Sequence, residues 1–149
     1  MGSTASGAGS TATGSGAEAT VSDSTATGAA ALAIGVNSTA TGSDAYAQGV
    51  NSTATGKSSR ANVEQSTAIG AGAKANGVNS VALGANSEAV KDNNVSIGAV
   101  RGVWNAVTKR WEDLTRTLSG LADGTDAHDA VNKGQLDTAK NDAIDAAKG

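Results

Sequence analysis

Glycine recurs on multiples of seven from Gly7 to Gly98, and alanine stands two residues before it almost every time. Val21, Val63 and Lys91 take the glycine position without shifting the register. The alanine series runs from Ala5 to Ala89, and Ser96 is its first exception. A period held without insertion or deletion over about two thirds of the chain specifies a solenoid, in which each coil stacks on the one before. Function in such a chain is carried by a surface of repeats.

Composition then constrains how the solenoid is held together. Of 149 residues, 38% are hydrophobic, with no Phe, Pro or Cys, one Tyr and two Trp. Most of the apolar content is alanine. At roughly 25 cal/mol per Å² of buried apolar surface, an alanine core offsets little of the backbone entropy of ordering. Gly/Ser/Thr/Ala linkers remain disordered for that reason, yet linkers have no cause to keep phase. The strict register therefore predicts an obligate oligomer whose chains share a core.

Strand geometry sends alternate side chains to opposite faces, so each alanine points one way and its two neighbours the other. An alanine-only face is a narrow space between two strands of one coil. The seven-residue unit is half of a fourteen-residue coil, and alternate units differ as that predicts. Pairs Thr11/Thr13, Thr25/Thr27, Thr39/Thr41, Thr53/Thr55, Thr67/Ile69, Val81/Leu83 and Val95/Ile97 carry no charge. The other series is Thr4/Ser6, Glu18/Thr20, Leu32/Ile34, Tyr46/Gln48, Arg60/Asn62, Lys74/Asn76 and Glu88/Val90, and four of these seven pairs are charged. One strand of each coil is expected to face other copies of the chain, with Ile69, Val81, Leu83, Val95 and Ile97 at the contact. The other is expected to face water and ligands, with Leu32, Ile34, Tyr46, Arg60 and Lys74 as candidate binding residues. Asn37, Asn51, Asn79 and Asn93, completed by Asp23 and Gln65, form a ladder two residues after the glycine position; these types suit left-handed turns.

Beyond Gly98 the beat stops. Trp104, Val107, Trp111, Leu114, Leu118 and Leu121 fit a helical seam, while the threonines among them favour a hairpin turning near Thr108-Lys109 that sets Trp104 against Trp111. Periodicity leaves both open. Trp104, Trp111, Leu118, Val131 and Leu136 are expected at a trimer junction, with carbohydrate stacking as the functional alternative for the tryptophans. From Asp129 onward the chain reads as the start of a helix, too short to stand alone in water and so expected to continue as a coiled coil. The segments are 1–98 head, 99–136 insertion and neck, and 137–149 start of stalk.

Net charge is −3, with no basic stripe for nucleic acid. There is no apolar run long enough to span a membrane and no signal peptide. Met1-Gly2-Ser3 reads as an added start, so the chain is expected to be a piece of a longer one. His128 is the only histidine, and with no Cys beside it a metal site is not expected. No Ser-His or Cys-His arrangement and no phosphate-binding context is present, so neither a cofactor nor catalysis is expected.

Asn79-Ser80-Val81-Ala82-Leu83-Gly84 and Asn94-Val95-Ser96-Ile97-Gly98 resemble the head repeats of YadA-like trimeric autotransporter adhesins. Leu118 to Thr125, with Asp129-Ala130-Val131-Asn132 and Gln135-Leu136, resembles their neck. The resemblance implies an all-β solenoid, a left-handed parallel β-roll of fourteen-residue coils in a homotrimeric head, then a neck and the start of a trimeric coiled coil. It also implies a passenger region outside the outer membrane of a Gram-negative bacterium that binds host matrix proteins or cell-surface receptors. The chain departs from the family in placing Thr where Val or Ile is usual in the first four coils, and in an insertion at 103–113. Two rival functions are a passive spacer within a longer adhesin and, from the Thr-Ala-Thr array, an ice-binding solenoid.

Overall fold

The seven-residue beat resolves into two kinds of strand. The computed structural model describes residues 2–149, with no side-chain placement for Arg101 and Val103; Met1, at the expected added start, lies outside the described residues. Strands β1 (Thr4–Ala5), β3 (Glu18–Ala19), β5 (Leu32–Ala33), β7 (Tyr46–Ala47), β9 (Arg60–Ala61), β11 (Lys74–Ala75) and β13 (Glu88–Ala89) pair in that order. Strands β2 (Thr11–Thr13), β4 (Thr25–Thr27), β6 (Thr39–Thr41), β8 (Thr53–Thr55), β10 (Thr67–Ile69), β12 (Val81–Leu83) and β14 (Val95–Ser96) form the second seven-stranded sheet. All pairing in both is parallel, and each residue meets the one fourteen positions on, as Ala40 meets Ala54. Consecutive strands belong to opposite sheets, so the fold is a parallel β-solenoid of fourteen-residue coils.

The core between the sheets is made of small side chains only. The alanine series from Ala19 to Ala89 is fully buried. A second series, not anticipated from sequence, lies beside it: Ala17, Ser24, Ala31, Ser38, Ala45, Ser52, Ser59, Ser66, Ala73, Ser80 and Ser87 are equally buried. Five of these serines donate to the carbonyl three residues earlier, as Ser80 Oγ does to Gly77 O at 2.6 Å. A buried hydroxyl so paired costs little. Backbone hydrogen bonds join each coil to the next along both sheets.

Glycine serves two ends here. Gly42 has φ +127°, a conformation closed to side chains. Gly49 lacks a positive φ, but a Cβ on it would sit 1.8 Å from Val63 O. At Gly49 the N–H groups of both Gln48 and Gly49 reach Ala61 O, whereas before Val63 only Asn62 N reaches Ala75 O. Val63 N lies instead 3.3 Å from Ser66 Oγ. The turn at the valine stand-in thus lacks the second backbone bond that Gly49 makes.

After the roll, β15 (Ala99–Asn105) and β16 (Arg110–Leu114) form an antiparallel hairpin with Trp104 opposite Trp111. Of the two readings of this segment, the hairpin is the one that forms, and the helical seam is not; the element is also wider than residues 103–113. Lys109 takes the left-handed position in its turn, φ +54°. Residues to Arg116 form one compact unit and Thr117–Gly149 another. The second holds helix α1 (Lys133–Lys148), which begins inside the segment read from sequence as neck.

Candidate functional site: the charged sheet and its groove

Alternation on the first sheet stacks Thr4, Glu18, Leu32, Tyr46, Arg60, Lys74 and Glu88 in one row, each in register with the next. Arg60 and Lys74 are exposed, as expected. Leu32, Ile34 and Tyr46, expected to be exposed, are half-buried. Beside this row Asn62 Nδ2 donates to Asn76 Oδ1 at 2.6 Å, and Asn76 Nδ2 to Glu88 Oε1 at 3.0 Å. Arg60, Lys74, Asn86, Glu88, Gly102 and Trp111 line a groove of about 580 Å³. A smaller hollow of about 310 Å³ adjoins it, with Leu32, Asp44 and Tyr46 sharing Arg60.

On the second sheet Ile69 is 40%, Leu83 44% and Val95 66% exposed, so three apolar side chains on successive coils lack a cover within the chain. Val36, Val50 and Val78, which the strand reading missed, are also exposed in the turns that precede this sheet. Their signal was present as a Val after glycine at 36, 50 and 78. Trp104 and Trp111 pack edge to face with centroids 5.7 Å apart, and Trp111 lines the groove over the charged sheet. Arg116 donates to Ile97 O and Ala85 O, tying the end of the hairpin to the last coil.

The ladder of Asn37, Asn51, Asn79 and Asn93, with Asp23 and Gln65, takes left-handed φ of 53–56°. Each backbone N–H from Asn37 to Asn93 donates to the coil below, as Asn51 N does to Val36 O at 2.9 Å. Side chains join the rungs in pairs, Asn37 to Asn51 and Asn79 to Asn93. A second left-handed ladder, Gly16, Ala30, Asp44, Ser58, Gly72 and Asn86, occupies the other turn. Its backbone N–H groups from Ala30 to Asn86 likewise donate to the coil below, as Asp44 N does to Ala29 O at 2.9 Å.

In the second unit, Asn132 caps α1 by accepting from Gln135 N at 3.0 Å, and Gln135 Oε1 accepts from Asn132 N at 3.2 Å. Asn132 Nδ2 also reaches Leu121 O and Asp123 Oδ1, while the Gln135 amide bonds both N and O of Gly124. The Asp129 carboxylate accepts from the N–H groups of Asp126 and Thr125, which hold its pKa below the usual aspartate range. Val131, Leu136 and Leu118 are exposed in this unit.

The family model of the YadA head domain repeat matches residues 33–59 and 64–87. A solved structure, the collagen-binding domain of the Yersinia adhesin YadA, is similar with a TM-score of 0.78. It is 31% identical, and the alignment covers 93% of this chain and 71% of that one. This chain belongs to the YadA-like trimeric autotransporter adhesins. No curated protein matches it. An adhesin role follows from the family. Among the described residues, no cluster of His, Cys, Asp or Glu is placed to hold a metal ion. No helix among them is long and apolar enough to cross a membrane.

Proposed function

We propose that this chain is the head of a homotrimeric surface adhesin that binds host matrix proteins or cell-surface molecules without catalysis. The observation that carries the reading is the confinement of charge to one sheet: four of the seven outward pairs on the first sheet are charged and none of the seven on the second. The uncharged sheet meets two other copies through Ile69, Val81, Leu83, Val95 and Ile97, where apolar area buried between chains supplements an alanine core. In the neck and stalk Leu118, Val131 and Leu136 do the same. The charged sheet is left outward, presented three times, so weak contacts add as avidity. Residues 1–98 are the head, 99–136 the insertion and neck, and 137–149 stalk, in a passenger region displayed outside a Gram-negative outer membrane.

The similar solved structure is described as a collagen-binding domain, which makes fibrillar collagen the first matrix protein to test. Binding of the purified chain to immobilised collagen is compared with that of Arg60→Glu/Lys74→Glu and of Val81→Asp. The double variant should stay trimeric and lose binding; Val81→Asp should lose the trimer. Undiminished attachment by cells whose residues 1–98 are replaced with an inert rigid rod would contradict a binding role.

A further inference from the structure

We propose that the groove floored by Arg60 and Lys74 and walled by Trp111 binds a carboxylated or sulfated glycan. The inference deepens the reading of the head as a binding module and rests on it, but the groove itself is built within one chain. Arg60 stands in register with Lys74, and Lys74 with Glu88. Neighbouring strands lie about 4.8 Å apart, so two cations emerge side by side. Like charges directly opposed in a sheet are unfavourable, and Glu88 is the nearest candidate to relieve them. It accepts instead from Asn76. Among the described residues neither Arg60 nor Lys74 has an ion pair or a side-chain hydrogen bond. The fold therefore holds two neighbouring cations with no direct ion pair, flanked by Glu88 in the groove and Asp44 in the adjoining hollow, and an anionic ligand can engage both; Arg60 offers a fork for a carboxylate or sulfate and Lys74 a point charge.

Trp111 decides the class of anion. It is 58% exposed and forms one wall of a cleft whose floor is charged. A flat apolar ring beside cations suits a sugar, which has an apolar C–H face as well as charged substituents. An acidic peptide uses the cations and leaves the ring idle. Asn86 and Glu88 supply partners for hydroxyls. The adjoining hollow at Leu32, Asp44 and Tyr46 continues past Arg60, so an oligosaccharide can run across several rungs.

The test measures binding of the whole chain to a heparin hexasaccharide, a hyaluronan hexasaccharide, a neutral chitin hexasaccharide and a short poly-glutamate peptide. Variants are Arg60→Gln/Lys74→Gln, Trp111→Ala and, as a charge-matched control, Lys140→Gln/Lys148→Gln, each checked by thermal melting. One or both anionic sugars should bind, which of them separating sulfate from carboxylate recognition, and the neutral sugar should not. Affinity should fall about tenfold or more in the double variant, fall in Trp111→Ala and persist in the control. Equal loss in the control, no effect of Trp111→Ala, or equal binding of poly-glutamate would overturn the proposal. Collagen binding without sugar binding would overturn it too, while leaving the adhesin reading intact.

Discussion

Replacing Gly42 with alanine puts a methyl 2.7 Å from the carbonyl carbon of Gly56 and strains a φ of +127°. Gly42→Ala is expected to cost about 3 kcal/mol or more in urea unfolding. Gly16 has φ +67° and nothing within 4 Å of a Cβ, and Asp44 and Asn86 already fill its position on other coils. Gly16→Asn is therefore expected to lie within about 0.5 kcal/mol of the parent. The buried serines divide in the same way. Ser80 Oγ has a carbonyl partner, whereas the hydroxyls of Ser38 and Ser52 have none. Ser80→Ala should lower stability by about 1 kcal/mol, and Ser38→Ala should leave it unchanged or raise it. The asparagine ladder was legible in the sequence because few residue types tolerate left-handed φ. The second ladder was not, since Gly, Ala, Asp, Ser and Asn share it and Ala30 takes a conformation that its type does not advertise. The serine series was hidden for a related reason: Ser and Ala interchange where only size is selected.

At the level of elements, strand pairing and coil length followed from the period, but the segment after Gly98 did not. Two tryptophans seven residues apart satisfy a heptad and a hairpin equally, and only cross-strand pairing with Lys109 in its turn separates them. Neck residues were recognisable as a string before their work was visible. Asn132 holds the helix start and reaches back to Leu121 and Asp123, so Asn132→Ala should cost about 1–2 kcal/mol and fray the first turn of α1, seen as lost helicity by circular dichroism. The Asp129 turn makes a pH prediction. Its native pKa is depressed, so its contribution is complete above the unfolded aspartate value of about 3.9 and is lost as pH falls through the native one. In an NMR titration the Asp129 carboxyl should protonate below the ordinary aspartate range, with amide exchange of Thr125 and Asp126 accelerating in step. Protonation in the ordinary range would show that the two N–H bonds do not hold in solution.

The whole molecule is organised by one asymmetry between its two sheets. None of the seven outward pairs on the second sheet is charged, four of the seven on the first are, and the core between the sheets is made of alanine and serine. That much was legible from the alternation of seven-residue units. The groove beside Arg60, Lys74 and Trp111 was not, because it joins strands fourteen residues apart to a hairpin that the repeat does not encode. The threonine rows of the first four coils give way to Val81, Leu83 and Val95 on the same sheet, so purified protein should show no thermal hysteresis; clear hysteresis would favour an ice-binding face. The most direct measurement is the solution mass by light scattering across a dilution series. A homotrimeric head gives a species three times the 14.3 kDa chain, reduced to one chain by Val81→Asp. A monodisperse single chain in the parent protein, folded and soluble, would contradict it.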